Sequence, residues 1–411
     1  MNDHDVVIVG AGPAGLACAA DLLAAGRTCV VLEASDGVGG RVRSDQVDGF
    51  TLDRGFQILL TDYPEVSRRL DLDALAVESF DPGAEVRIGG SFHRVADPLR
   101  SPRDIVSSVR APVGSLLDKA RLARLVADVL THRAPELLRR RDRTTAERLA
   151  EAGFSPRMVE TFWRPLFAGI QLDPDLDVSA RRFDVILRSL ARGKTVVPAR
   201  GMGAITAQLA EALPAGVVRL DTPVADVSSG LVVTEAGECV GARCVVVATD
   251  GPRAHALLGT RVPDPGSRPV ACGWFTIKGR PHVGRALLLN GEGRGPALNV
   301  AVMTEVAPSY APAGQTLVAA AVPGAEAFSP GLTGRIQEQL AGWFATTTGE
   351  WEHLRTDVIA HGQPLQSPPF SPRQRVSLGD GLFVCGDHRD TASLQGALFS
   401  GRRSAQAVLL S

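Results

Sequence analysis

The 411-residue chain carries 44 basic and 45 acidic side chains for a net charge of −1, with 45% hydrophobic and 22% charged residues and a mean hydropathy of +0.07. That length supports about two domains with a large core, and the balanced charge argues against nucleic acid as a global partner. No apolar run approaches the roughly 20 residues of a membrane span, and the acidic start Met1-Asn2-Asp3-His4-Asp5 leads straight into a strand, so no signal peptide is expected.

In chain order, Val6-Val7-Ile8-Val9 reads as a buried strand, since a continuous β-branched run suits a strand covered on both faces. Gly10-Ala11-Gly12-Pro13-Ala14-Gly15 follows, then an Ala-rich helix over 16–25 closed by Gly26, and a second strand over 28–32 that delivers Glu33. The glycines have separate tasks. Gly10 makes the tight turn, Gly12 lets backbone approach a pyrophosphate, and Gly15 lets the helix pack close to the strand. The helix N-terminus, at Pro13 and Ala14, faces phosphates with unpaired N–H groups and a partial positive charge. Glu33, eighteen residues past Gly15, can accept hydrogen bonds from a ribose diol and repels a 2′-phosphate. A Gly-rich turn alone is common in loops; its place between strand and helix, with the acid at this distance, calls for a dinucleotide.

Residues 50–60 mix apolar side chains with a glycine-permitted turn and end at Tyr63-Pro64, which turns into a helix over 65–70. Leucine and valine at three- and four-residue spacing over 116–126 mark a helical insertion from 111 to 172. Within it, a helical stretch over 145–163 is expected to stop at Arg164-Pro165. Strands are expected at 217–220, 224–227, 231–234 and 244–249, then at 270–277, 286–289, 298–303, 317–322 and 354–360, with an amphipathic helix over 332–345. After a proline-rich crossing at 364–372 the chain ends as it began, with a buried strand over 381–385, Gly386-Asp387 and a helix to 410.

That return implies an α/β fold with a discontinuous Rossmann-like dinucleotide domain (1–90, 190–265 and 375–411) and an inserted α+β substrate domain (91–189 and 266–374). Only one glycine fingerprint stands in strand-turn-helix context, so one dinucleotide fits better than two. The six cysteines form no CxxC pair and mostly lie in apolar patterns, which reads as buried free thiols in a reducing cytoplasm. This counts against a disulfide reductase, and nothing points to a metal site.

Three segments together resemble a known family. They are Gly39-Gly40-Arg41 after the ribose acid, the strand Cys244-Val245-Val246-Val247 ending in Ala248-Thr249-Asp250, and Gly386-Asp387 followed by Ser393-Leu394-Gln395-Gly396-Ala397-Leu398-Phe399-Ser400-Gly401. Together they resemble the flavoprotein superfamily of amine oxidases, protoporphyrinogen oxidases and carotenoid desaturases, which implies FAD as the dinucleotide. By that resemblance Gly40 and Arg41 carry the chain over the pyrophosphate, with the guanidinium offsetting its charge. Val224 offers backbone hydrogen bonds to adenine, and Asp387 binds the ribitol or phosphate end. With Ser393 as N-cap, free N–H groups at Gln395 to Ala397 face the flavin edge where negative charge collects on reduction. Ala34, Gly39, Gly55, Phe56, Gln57, Ala248, Gly386 and Leu394 complete the expected cofactor site.

Within the superfamily, Gly55-Phe56-Gln57-Ile58-Leu59-Leu60-Thr61-Asp62-Tyr63-Pro64-Glu65 looks most like plant-type phytoene desaturases, with Gln57 where that family has a histidine. No Ser-Gly-Gly-Cys-Tyr attachment sequence is present, so the FAD is expected to be non-covalent. Amine oxidases of the superfamily commonly hold a lysine beside flavin N5 and two aromatic residues around the amine. Here Ala271 is expected at the lysine's place and Ser393 at an aromatic's, which disfavours a standard amine oxidase.

The resulting expectation is an FAD-dependent oxidoreductase that dehydrogenates, or desaturates, an apolar small molecule, with isoprenoids as the class the motifs suggest. The alternatives are an amine or porphyrinogen oxidase using oxygen, and a flavin-dependent isomerase without net redox turnover. No acid–base residue is assigned. Gln57 could orient a substrate, Arg164 could pair with a carboxylate or pyrophosphate, and His361 could act as a base; each also has an ordinary reading as a hydrogen-bonded structural group. The Arg-rich stretch 111–143 reads either as a solvated helical face or as a basic amphipathic surface that meets a membrane. The expected location is therefore the cytoplasm, with peripheral contact on the inner face of the membrane as the second option.

Overall fold

The computed structural model describes residues 4–96, 100–101, 104–279 and 283–411; the first three residues of the acidic start lie outside this range. The opening unit forms as expected, with β1 (His4–Val9), α1 (Pro13–Ala24) and β2 (Cys29–Leu32). β1 pairs in parallel with β2 on one side and with Cys239–Val247 on the other, and Leu382–Val384 pairs in parallel beyond that. Val218–Arg219 lies outside β2, while Val224–Ser228 and Leu231–Thr234 extend the sheet as antiparallel strands. The sheet therefore draws on both ends and the middle of the chain. Its central β-branched residues, Val7, Ile8, Val31, Val245, Val246 and Val247, are all fully buried, as strands with both faces covered require.

A second sheet has seven strands in the order Trp351–Gln363, Arg268–Lys278, Gln315–Pro323, Asn299–Val302, Leu287–Leu289, Gly83–Ile88 and Ser91–Ala96. The last two form a hairpin around Gly89-Gly90, both with positive φ, and Gly83–Ile88 runs parallel to Leu287–Leu289. This strand precedes the expected boundary at residue 90. Its alternation of Ala84, Val86 and Ile88 with Glu85 and Arg87, followed by two glycines, is a hairpin signature that the sequence reading passed over.

In Arg268–Lys278 the period-two alternation decides which residues face which layer. Ala271, Phe275 and Ile277 join the cluster under the helix Leu332–Phe344, whereas Cys272 and Trp274 join the core shared with β1 and α1. Cys272, not Ala271, is thus turned toward the dinucleotide domain.

The helical lobe corrects one expectation. Residues 145–163 are not one helix stopped by Pro165: Thr145–Glu151 ends before Gly153 (φ +82°), and a later helix, Arg164–Gln171, contains Pro165. A π-helical turn, Val159–Trp163, directly precedes it. Proline lacks an N–H and crowds the carbonyl four residues back, and the wider turn relieves both problems. Trp163, fully buried, then packs against Phe154, Phe162, Phe167 and Phe183. The final helix, Leu394–Leu409, lies against α1 at Gly401, where a Cβ would collide with the carbonyl of Ala14.

Candidate functional site

Gly10, Gly12 and Gly15 do three distinct things. Gly10 has φ +106°, which disfavours any side chain, donates its N–H to the Leu32 carbonyl (2.8 Å), and would bring a Cβ within a tight 3.0 Å of the Ala248 carbonyl. Ala248 in turn donates to the Val9 carbonyl at 2.8 Å, and a Cβ at Gly15 would overlap the Gly10 carbonyl. Helix, strand tip and Ala248 are thereby locked together. Gly12 is the exception: a Cβ there would meet nothing within 4 Å. Facing it is Gly40 (φ +56°), whose nearest neighbour to a Cβ would be the Gly12 Cα at 3.8 Å, and Gly39 N–H donates to the Ala11 carbonyl (2.9 Å). Two glycine segments therefore face each other across open space at the N-terminus of α1, beside Pro13 and Ala14. A phosphate fits such a cradle, because the backbone approaches closely and the helix end supplies positive potential.

Behind the cradle, buried Glu33 accepts from Ala11 N–H (2.7 Å) through Oε2 and from Ser35 Oγ (2.7 Å) through Oε1. Ser35 N–H also donates to Oε1 (3.1 Å), so of the roughly four acceptor positions of a carboxylate one is left for a ribose hydroxyl. Ala34 beside it is exposed. Val224 is buried and its carbonyl already accepts from Arg253 Nη2 (2.6 Å).

Arg41 and Asp387 meet at 2.7 Å, and Arg41 Nη1 also donates to the Gly362 carbonyl (2.7 Å). The charge of Arg41, expected to offset a pyrophosphate, is here answered by Asp387. Burial pushes the Asp387 carboxyl up, but the guanidinium beside it holds it below the usual carboxylate range. Gly386 (φ +146°) brings the chain into this pair and donates its N–H to Ser400 Oγ at 2.9 Å.

The final helix places its first turn as expected, with a refinement. Ser393 Oγ accepts from Gly396 N–H (3.0 Å), and the Ser393 carbonyl accepts from Ala397 N–H (2.9 Å). An N-cap side chain satisfies the third helical N–H, so of the expected free donors at 395–397 only Gln395 stays free, joined by Leu394. The Gln395 side chain accepts from Glu65 N–H at 2.9 Å and so holds the start of the helix Pro64–Arg69.

Gln57 uses its amide N–H groups on the carbonyls of Arg41 (2.7 Å) and Arg54 (3.1 Å), which makes it a support for the Arg41 backbone. Gly55 (φ +90°) packs on Ile359, and Phe56 stands edge-on to Phe80. Arg164 pairs with Glu160 at 2.8 Å, one turn back, and donates to the Pro174 carbonyl, which is a surface ion pair. His361 Nδ1 lies 2.6 Å from Ser267 Oγ, and the residue lines a small pocket with Arg41, Asp250, Gln363 and Asp387.

One residue escaped the sequence reading. Arg182, in the helix Ala180–Arg192, is fully buried, and burial lowers its pKa to about 10. Its signal was available: a basic side chain at a position of the stripe that also holds Phe183, Ile186 and Leu187.

A glycine-lined phosphate cradle with a ribose acid behind it, closed by a helix from the far end of the chain and joined to a separate sheet, defines a flavoprotein-type dinucleotide enzyme. Residues 13–409 match the family described as flavin containing amine oxidoreductase, and the chain belongs to that family: it is a flavin-dependent oxidoreductase. It is 45% identical to putrescine oxidase of Kocuria rosea over 98 residues, which is 24% of this chain and 20% of that protein. It is 41% identical to the zeta-carotene-forming phytoene desaturase of Myxococcus xanthus over 87 residues, 20% of this chain and 17% of that protein. The chain thus spans about a fifth of the length of these curated relatives. An oxidoreductase from Methanosarcina mazei has the same fold, with a TM-score of 0.75 over 99% of this chain and 100% of its own at 18% identity.

Proposed function

We propose that the protein holds FAD non-covalently and dehydrogenates an apolar small molecule. The observation that carries the choice of substrate is the sign of the buried charge. Buried Glu65, Asp173, Asp184 and Asp387 each pair with an arginine, and Asp53 accepts from Ser44, Met202 and Tyr310. Among the described residues, buried Glu33 is likewise held by neutral donors alone and buried Arg389 meets no carboxylate; Arg182, also without an ionic partner, is the cation fixed between Gln363 and Ala392, where it repels an ammonium substrate. The strand Arg268–Lys278 turns Cys272 and Trp274 toward the dinucleotide domain, and its lysine stands at the exposed end. Both features favour a neutral apolar substrate over a diamine. FAD supplies the hydride acceptor when bound; the protein contributes the cradle at Gly12 and Gly40 and the Arg41–Asp387 pair. Anaerobic mixing tests the reading: bleaching of the flavin band by a polyisoprenoid, and not by putrescine, is the expected result. Bleaching by putrescine overturns it.

The second part of the proposal is that the substrate arrives from a membrane surface. Among the described residues no helix is long and apolar enough to cross a membrane. Yet Val106 (58% exposed), Leu116 (70%) and Leu117 (58%) stand out in water on the neighbouring helices Ile105–Arg110 and Leu116–Thr131. Lys119 Nζ joins the two by donating to the carbonyls of Val109 (2.5 Å) and Ala111 (2.8 Å). Apolar side chains among Arg110, Lys119 and Arg124 suit an anionic bilayer. Co-sedimentation with anionic vesicles at low salt is expected, and failure to bind them removes this part.

A further inference from the structure

Several partly buried arginines of this protein meet a carboxylate: Arg69 meets Asp21 and Glu65, Arg148 meets Asp128 and Asp184, and Arg268 meets Asp173. The two buried ones do not: Arg389 (6% exposed) donates to Gln374 and the Arg375 carbonyl, and Arg182 (2%) is the one that reaches the segments around the cofactor site. Its Nη2 donates to two neutral oxygens, Gln363 Oε1 (2.9 Å) and the Ala392 carbonyl (2.8 Å), and its Nη1 is buried with no acceptor. A guanidinium stays protonated here, so a whole positive charge is held in the interior with no carboxylate in hydrogen-bond contact, Asp387 and Asp173 acting on it only from a distance. Such an arrangement costs folding stability unless a charge elsewhere answers it.

The two oxygens that hold Arg182 lie in the segments that frame the cofactor site. Ala392 stands two residues before Leu394, where the first free N–H of the final helix is found. Gln363 follows Gly362, whose carbonyl holds Arg41 against Asp387. Gln363 is itself fixed by donating from Nε2 to the Ile170 carbonyl (2.8 Å), so the guanidinium cannot swing away with its acceptor. The helix end contributes a partial positive charge at the same place, because its first-turn N–H groups point out of the helix. A flavin bound there would supply the hydride acceptor of a dehydrogenation and would carry more negative charge when reduced. Fixed positive charge in a low-dielectric interior favours that state and requires no reorganisation when it forms.

We infer that Arg182 is an electrostatic positioning residue whose buried charge, paired with no carboxylate, acts together with the N-terminus of the final helix to make the bound flavin a stronger electron acceptor. The inference rests on the reading that FAD occupies the cradle, and the test separates the two. Wild type, Arg182→Gln and Arg182→Lys are purified as holoproteins, their flavin content is measured after release, and the two-electron midpoint potential is titrated without substrate. Arg182→Gln is expected to shift the reduction equilibrium at least tenfold toward oxidised flavin, a fall of about 30 mV. Affinity for sulfite, which also places negative charge on the ring, is expected to weaken by at least tenfold. Arg182→Lys is expected to stay close to wild type in both. A Gln variant that holds flavin at the wild-type potential overturns the inference. Wild-type protein that binds no flavin overturns the FAD reading, and the inference falls with it. Should Arg182→Gln fail to fold, Gln363→Glu decides: it keeps the arginine and adds a carboxylate beside it, so the potential must fall, and an unchanged potential is equally fatal.

Discussion

Arg41 Nη2 and Asp387 Oδ1 lie 2.7 Å apart although 346 residues separate them in the chain. This contact ties the glycine segment after β2 to the strand end that precedes the final helix, and so closes the discontinuous domain at its ligand. Replacing Asp387 by Ala leaves the Arg41 guanidinium, partly open to solvent, with the Gly362 carbonyl as its bonded partner and Asp250 as a more distant charge. A stability loss of about 1–3 kcal/mol is expected, between the values for exposed and buried pairs. Because the folded-state carboxyl titrates below its usual range, the pair's contribution is present above the unfolded carboxylate pKa of about 4 and is lost as pH falls through the folded value. Thermal unfolding of Asp387→Ala and wild type should therefore differ at pH 7 and converge toward pH 3.

Gly12 and Gly15 should separate ligand binding from folding. A methyl at Gly12 meets nothing within 4 Å, and φ there is −74°, which suits any residue. Gly12→Ala is expected to fold with apoprotein stability within about 0.5 kcal/mol of wild type and to lose flavin, because the methyl fills the phosphate cradle. Gly15→Ala pushes a methyl into the Gly10 carbonyl and is expected to destabilise by about 3 kcal/mol or more. Apoprotein melting curves, measured beside flavin content, check both. A Gly12→Ala protein that retains flavin would show that the ligand lies elsewhere.

The parts of this protein that were legible in its sequence are those whose residues have a local geometric task. Gly10, Gly12 and Gly15 could be assigned one by one because the strand-turn-helix pattern around them is local, whereas Gly39 and Gly40 were read from the family resemblance alone. Asp387 was legible only through resemblance, and its partner Arg41 was assigned to the ligand, because no local pattern reports a contact 346 residues away. Two of the three expected free N–H groups of the final helix, at Gly396 and Ala397, are bonded to Ser393, since a serine N-cap takes the third helical donor with its side chain and the fourth with its carbonyl. Pro165 was misread because a proline announces a missing N–H but not the π-turn that accommodates it. Arg182 was missed for a different reason. Its helix carries several arginines, and the stripe it shares with Phe183, Ile186 and Leu187 marks it as the inward one only when the helix is read by its period.

Asp118 joins two helix starts with one carboxylate. It accepts from Ser115 N–H and Oγ (both 2.8 Å), and from Ser155 N–H (2.8 Å) and Oγ (2.7 Å). Burial opposes the charged form, but these four donors hold the carboxyl far below the usual range. Asp118→Ala strands both serine N–H groups and is expected to cost about 2–4 kcal/mol. The depressed pKa makes this contribution complete above the unfolded value of about 4, and it declines as pH falls below that. Urea unfolding at pH 7 should show the full difference, with a smaller gap at pH 3.

Asp53 has the opposite sign. It is fully buried in the hairpin Ser44–Val47/Phe50–Asp53 and accepts from Ser44 Oγ (2.5 Å), Met202 N–H (2.8 Å) and Tyr310 Oη (3.2 Å). Burial raises its carboxyl to about 6 despite those donors. A folded-state pKa above the unfolded value of about 4 means that the folded protein binds the proton more tightly. The contribution is therefore fully present below pH 4 and is lost as pH rises through about 6. Asp53→Asn mimics the protonated form at every pH, and its amide can still accept from Ser44 and Met202 while donating to Tyr310 Oη. The variant is expected to match or fall slightly below wild type at pH 4 and to exceed it by about 1–3 kcal/mol at pH 8, which is up to two pKa units of differential binding. Melting temperatures of both proteins across that range decide the matter, and a variant less stable than wild type at pH 8 would mean that the carboxylate is held ionised by its donors.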